Sequence, residues 1–358
     1  MTLRCLFNWL GMSILLLGML VAVPASPAAG PQQTLVLLTW AEYMHPEVLK
    51  AFERKYNVKV REVHYETESG LDQMLSYTAG KNYDLVVASR TKILSYIRRG
   101  WVTPVDEALV PNRKHIDAEW TRRDPEVSRY SVPYFWGGVG IAYRKDLVEG
   151  KITSWKQFYH PPQQLRGKTM MIEDVRDVVG TALKALGYSL NSQDSKELVE
   201  AEKLLLAQRP FVKKYGYMQL DENSDLIKGN YWVAMMYSGD ALMLAEQDKN
   251  IIFVLPDEGT NLWLDSFTVL ESSPKKKLAF QFINFLHEPE NAAKLAEFLY
   301  NASPNKEARK LLPKEMLADP RIYPPKEITD KSEFYEPLPP RVLKRYNEIF
   351  SKASQGLL

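Results

Sequence analysis

Between Thr34 and Arg99 short apolar runs alternate three times with amphipathic stretches, and no other feature restricts the fold as much. Thr34–Thr39 (T-L-V-L-L-T) reads as a buried strand. Pro46 then opens a helix whose Val48, Leu49, Phe52 and Tyr56 recur at helical spacing. Val58–His64 reads as a second strand, Ser69–Ala79 as a helix, Asp84–Ala88 as a third strand and Thr91–Arg99 as a helix stopped by Gly100. Strands linked by single helices at this spacing form a parallel sheet with covering helices. Such sheets bind ligands beyond the carboxyl ends of their strands, here Trp40–Tyr43 and Ser89–Thr91.

A second series follows. Tyr130–Arg144 is extended and interrupted by Gly137, Gly138 and Gly140, which suits a strand passing between two bodies with close backbone approach. Lys168–Ile172 and Tyr231–Tyr237 read as strands, each leading into a helix, with Ile251–Leu255 as a further strand. Lys275–His287, Pro289–Leu299 and Arg341–Lys352 read as later helices. A chain of 358 residues exceeds the usual single domain. Two α/β lobes are expected, with the chain crossing near Gly137 and again near Asp265.

The first residues stand apart. Arg4, the apolar run Ile14–Val23 and the small residues Pro24–Gly30 form the pattern of a secretory signal peptide, with cleavage expected after Ala25 or Ala28. The apolar run is short for a bilayer span. The lone cysteine, Cys5, precedes that run, so the mature chain would hold no disulfide and no reactive thiol. A formal net charge of +2 gives no global attraction to nucleic acid. The five histidines lie far apart without a zinc-binding spacing, and neither a G-x-S-x-G elbow nor a complete P-loop occurs. Nothing assembles a nucleophile, a base and an oxyanion donor.

Asn261–Leu270 (N-L-W-L-D-S-F-T-V-L) alternates, placing Trp263, Asp265 and Phe267 on one side of an extended segment. An aromatic plane two residues from a carboxylate suits an organic cation, because the ring face attracts charge and the acid accepts N–H donors. A half-buried strand with a packed Trp and a capping Asp would look the same. The wider pattern favours the ligand reading. Trp40, Glu42 and Tyr43, Ser89, Tyr134 and Trp136, Asp174 and Asp177, Tyr237 and Asp240, and Trp263 and Asp265 all fall at strand ends or crossovers. Acids left unpaired in a closed cleft are costly, and a multiply charged cation would relieve that cost.

With these residues in view, the chain resembles the periplasmic polyamine-binding proteins, substrate receptors of spermidine/putrescine ABC importers. The resemblance rests on W-A-E-Y (Trp40–Tyr43), Y-D-L-V-V-A-S (Tyr83–Ser89), S-V-P-Y-F-W-G (Ser131–Gly137), E-D-V-R-D (Glu173–Asp177), Y-S-G-D-A (Tyr237–Ala241), W-L-D-S (Trp263–Ser266) and S-P-N-K-E-A-R-K-L-L (Ser303–Leu312), in family order. It implies a two-lobed, type II-like periplasmic substrate-binding fold, each lobe a mixed sheet with flanking helices around a central ligand cleft. It also implies closure on the ligand and docking on an inner-membrane permease. It implies no catalysis and no cofactor or metal.

Carried over by position, Trp40 and Trp263 are aromatic walls, Asp174 and Asp177 hold a terminal ammonium, Asp265 holds another amine and Glu42 meets the opposite end. Asp240 matches the acid of putrescine-type members, while Ser89 and Tyr43 complete the polar rim. The chain departs from the family at Ala41 (usually Thr or Ser), Thr91 (Tyr in spermidine-type members), Tyr237 (a wall Trp) and Asp177 (usually Glu). The family's Tyr before the S/T-P-N motif falls at Asn301, beside Tyr300. The expected division is a signal peptide over 1–28, a first lobe over 33–138 plus about 266–310, and a second over 139–265 plus about 311–358. A monomer is expected. A receptor of the same fold for another organic cation or metal complex, and a polyamine sensor without transport, remain the alternatives.

Overall fold

Gln33–Thr39 (β1), Val58–His64 (β2) and Leu85–Ser89 (β3) alternate with helices Pro46–Tyr56 (α1), Glu68–Thr78 (α2) and Arg90–Arg98 (α3), as the periodicity predicts. A computed structural model describes residues 32–357, so the expected signal peptide, its cleavage motifs and Cys5 lie outside the described residues. The local signals are physical. Pro46 starts α1 and Asn57 ends it in the left-handed region at φ 50. The Thr67 side chain accepts from the Gly70 amide to cap α2.

Val132–Arg144 (β4) is a thirteen-residue strand buried along its whole length. The second series comprises Thr169–Ile172 (β5), helices Val175–Ala185 (α4) and Ser195–Gln208 (α5), Val212–Gly216 (β6), Val233–Tyr237 (β7), helix Ser238–Gln247 (α6) and Ile251–Val254 (β8). Leu262–Val269 (β9), Lys276–Leu286 (α7), Pro289–Leu299 (α8) and Pro340–Ser354 (α9) complete the main elements. β6 has no clear signal in the sequence because it is an edge strand that turns Lys213 and Lys214 to solvent. α6 starts at Ser238, directly off β7. Asp240 therefore lies in a helical first turn.

Among the described residues nine strands form one curled mixed sheet, in the order β2-β1-β3-β9-β4-β7-β5-β6 with β8 also on β4. β1, β2 and β3 are parallel, as are β5, β6 and β7, while β9 and β4 run antiparallel to their neighbours. β4 is the shared element. Its first half, Val132–Gly138, pairs with β9, and its second half pairs with β7 and β8. Gly137 sits at the changeover, where a Cβ would come within 2.5 Å of both Ser238 Oγ and the Trp263 ring.

Two large apolar cores flank this strand. One gathers Leu35, Phe52, Leu85, Phe135, Phe267 and Phe282; the other gathers Ile141, Trp155, Tyr159, Val178, Leu205 and Ile349. Trp263 packs against both. No helix of the described residues is long and apolar enough to cross a membrane.

Candidate functional site

The site is built where strands hand over to helices. β2, β3, β5 and β7 each lead into the N-terminus of a helix: α2 at Glu68, α3 at Arg90, α4 at Val175 and α6 at Ser238. A helix N-terminus carries a partial positive charge and free N–H groups, so acids are tolerated there. Glu68, Asp177 and Asp240 lie in first turns, and Asp174 is the cap of α4, its Oδ1 accepting from the amides of Arg176 (2.7 Å) and Asp177 (2.9 Å).

Asp265 occupies the middle of β9, opposite Ser89 of β3 and Phe135 of β4. Its side chain is only 8% exposed. Burial pushes its carboxyl up to about 7, and Glu68 adds to the rise, while the nearby Tyr43 hydroxyl and Trp40 indole pull it back. The Tyr43 hydroxyl is itself buried without a partner at hydrogen-bond distance. Trp40 packs against Tyr65 with ring centroids 4.2 Å apart, and Tyr43 meets Tyr134 edge-on at 5.5 Å. Ser89 Oγ lies 3.2 Å from Thr91 Oγ1.

Beyond the shared strand, Asp177 is 2% exposed and accepts from Tyr335 Oη (2.7 Å) and Asn261 Nδ2 (3.0 Å) on Oδ1, and from Tyr237 Oη (2.9 Å) on Oδ2. Burial and then Asp174 raise its pKa to about 7 against these three donors. Tyr237 stands edge-on to Trp263 at 6.4 Å. Asp240 is likewise pushed up to about 7, by burial first and by Glu42 second. Glu42 is exposed in a left-handed turn at φ 56. Glu68 and Asp174, from opposite sides of the shared strand, are close enough for repulsion to raise the Glu68 carboxyl, whose chief perturbation is burial. The arrangement is an acid-rich, aromatic-walled region with too little internal positive charge. Among the described residues no cluster of three His, Cys, Asp or Glu side chains is arranged to hold a metal ion.

Of the sequence-predicted residues, Trp40, Tyr43, Ser89, Thr91 and Asp265 gather on one side, Asp174, Asp177 and Tyr237 on the other, with Glu42 and Asp240 as a separate acid pair. Trp136 is packed in the first core against Trp120 and Tyr323, its Nε1 buried without a partner. Asn301 presents a buried, unpartnered Oδ1 to Gly239, whereas the neighbouring Tyr300 caps α8 at φ 50 and lies by Glu246 and Lys249. Sequence reasoning overlooked Glu68, Tyr65, Asn261, Tyr217 and Tyr335. Glu68 could have been found by extending the strand-end rule to β2. Tyr217 follows the unrecognised β6 and donates to the Glu173 carbonyl at 3.3 Å. Tyr335 comes from the proline-rich tail, where no periodicity points anywhere.

Comparison with known proteins supplies a family. Residues 47–324 match the profile of a bacterial extracellular solute-binding protein. A protein of Salmonella typhimurium named spermidine/putrescine-binding periplasmic protein is 30% identical over 329 residues, covering 90% of this chain and 92% of its own. The putrescine-binding periplasmic protein SpuD of Pseudomonas aeruginosa is 28% identical over 97% of this chain and 98% of its own. Among solved structures, the spermidine/putrescine ABC transporter substrate-binding protein PotD of Streptococcus pneumoniae superimposes with a TM-score of 0.78. That match has 27% identity over 90% of this chain and 98% of that one. The two-lobed α/β architecture is therefore that of these binding proteins, and the chain belongs to the bacterial extracellular solute-binding proteins.

Proposed function

We propose that this protein captures a polyamine between two lobes and delivers it to the permease of an ABC importer. The observation that carries the reading is the set of buried acids without a cationic partner. No lysine or arginine is among the groups that shift Asp240 or Asp265, and both carboxyls rise to about 7 through burial. A protonated amine supplies the missing charge, and Trp40, Tyr237 and Trp263 supply rings for its methylenes and ammonium groups. In this reading Trp40, Glu42, Tyr43, Ser89, Asp174, Tyr237, Asp240, Trp263 and Asp265 line the cleft, with Asp177 beneath its second wall. The lobes divide at the shared strand, 33–138 with about 266–310 against 139–265 with about 311–358. The protein is exported after cleavage near Ala25 or Ala28 and acts as a monomer.

A thermal-shift screen with putrescine, cadaverine, spermidine, spermine and agmatine tests the reading, because a ligand that binds only the folded state raises the melting temperature. A rise with at least one amine, absent with sodium or potassium at equal ionic strength, is the expected result. No shift with any amine sinks the proposal.

A further inference from the structure

The acids of the cleft are not equivalent. Asp177 is already satisfied by the protein: a carboxylate offers about four lone-pair sites, and three are filled by the neutral donors of Tyr335, Asn261 and Tyr237 at 2.7 to 3.0 Å. At 2% exposure it has no open face left for an ammonium. Asp265 and Asp240 differ. Neither joins an ion pair among the described residues, and the Tyr43 hydroxyl beside Asp265 is left without a partner.

The donor that closes Asp177 is firmly held. Tyr335 lies on a strap whose main chain is tied to the start of β9, with the Glu333 amide donating to Thr260 O and the Leu262 amide to Glu333 O, both at 2.9 Å. The Arg176 guanidinium stacks over the Tyr335 ring at 4.3 Å and donates to the Glu336 carbonyl at 3.1 Å. From the other side of the shared strand, Arg90 donates to the Tyr335 carbonyl (3.2 Å) and to Glu336 Oε2 (3.0 Å). One residue earlier, Phe334 lies under the Arg123 guanidinium at 4.0 Å. A side chain pinned through its neighbours on both sides cannot swing away from Asp177 without breaking several contacts.

We infer that Tyr335 determines ligand length: by helping to fill the acceptor sites of Asp177 it leaves Asp265 and Asp240 as the acids open to a cation, and so fits the cleft to a diammonium alkane in preference to a triamine. The inference rests on the polyamine reading above. A third ammonium arriving at the Asp177 end would meet a carboxylate already bonded and a ring in its path. Asp177 is then a positioning residue. It fixes Tyr237 and Tyr335, one a wall and the other a stop, and does not itself hold the ligand.

Calorimetric titration of the purified, amine-free protein with putrescine and spermidine tests this directly. The native chain should bind putrescine about tenfold or more tighter than spermidine, the scale set by one unmade charge-assisted contact. Tyr335→Ala, which opens the space and frees Asp177, should move that ratio about tenfold toward spermidine, again one such contact. Tyr335→Phe keeps the ring and packing while freeing one acceptor site, and should move the ratio in the same direction by a smaller factor. This second variant reads the effect if the alanine variant does not fold. A general structural role for Tyr335 would weaken both amines alike and leave the ratio where it was, which overturns the inference. Equal or tighter spermidine binding by the native chain also overturns it while leaving the polyamine reading intact. Failure of both amines to bind the native chain overturns the polyamine reading itself.

Discussion

Replacing Asp265 by Asn should weaken amine binding and stabilise the ligand-free protein, two effects of opposite sign from one atom exchange. The carboxyl rises from an ordinary 3.8 to about 7 in the folded chain, chiefly through burial. At about 1.4 kcal/mol per unit, ionising it in the folded state costs about 4 kcal/mol. The sign follows from proton binding. Between these two values the folded state holds a proton that the unfolded state has lost, so stability is fully present below 3.8 and falls as pH rises to about 7. Asn cannot ionise, so the variant escapes this loss. Near pH 4 the two proteins should melt together; by pH 8 the variant should be favoured by about 4 kcal/mol. For a folded region of this length the unfolding entropy is about 0.7 kcal/mol per degree, which makes the gap about 6 °C. Scanning calorimetry at both pH values, without amine, measures it. Affinity should move the other way, by about 2–5 kcal/mol, as when one partner of a buried charge pair is removed. A variant no more stable than the native chain at pH 8 would refute the claim that Asp265 is an uncompensated buried charge. Unchanged affinity would remove it from the site.

Three further outcomes follow from the same geometry. Amine binding at pH 7 should release about one proton in total from Asp240 and Asp265, seen as a binding enthalpy that varies with buffer ionisation and loses that dependence near pH 9. Affinity should correspondingly fall as pH drops below 7, and a pH-independent affinity from 5 to 8 would contradict both shifts. Asp174→Ala should lose both the cap of α4 and the ligand contact, costing about 1 kcal/mol of stability, whereas Asp174→Ser should restore most of the stability but not the affinity. Recovery of affinity with Ser would make Asp174 a cap only. Gly137→Ala would drive a methyl to within 2.5 Å of Ser238 Oγ and the Trp263 ring, costing about 1–3 kcal/mol and weakening amine binding through the displaced ring. Chemical denaturation and titration of that variant measure the two losses separately.

Much of the fold was legible because its signals are local. The runs that became β1, β2 and β3, and the Pro46 helix start, need only neighbours a few residues away. The glycines of Tyr130–Arg144 marked the shared strand because close approach leaves no room for a side chain. Strand β6 was invisible because an edge strand with two exposed lysines lacks the apolar run that marks a buried one. The acids and rings of the site were nameable by type and position. Their roles were not, because those depend on partners far away in sequence. Asp177 looks like a free acid until Tyr335, 158 residues later, is seen to close it.

That distinction bears on how an acid-rich cleft chooses its ligand. Counting carboxylates at strand ends in the sequence gives five, and the fold adds Glu68, enough for any polyamine. The folded chain divides them by what already answers their charge. Glu68 has Lys92 within 3.9 Å, Asp174 spends one oxygen on the amides of α4, Asp177 is bonded three times over, and Glu42 is exposed to water. Water or an existing donor answers part of the demand of those four, so an arriving ammonium gains less from each of them. Asp240 and Asp265 have no ion pair among the described residues, and there an ammonium relieves a carboxyl that burial has raised to about 7. On this reading the charge a ligand must carry is set by the acids that folding leaves open to a cation, Asp240 and Asp265.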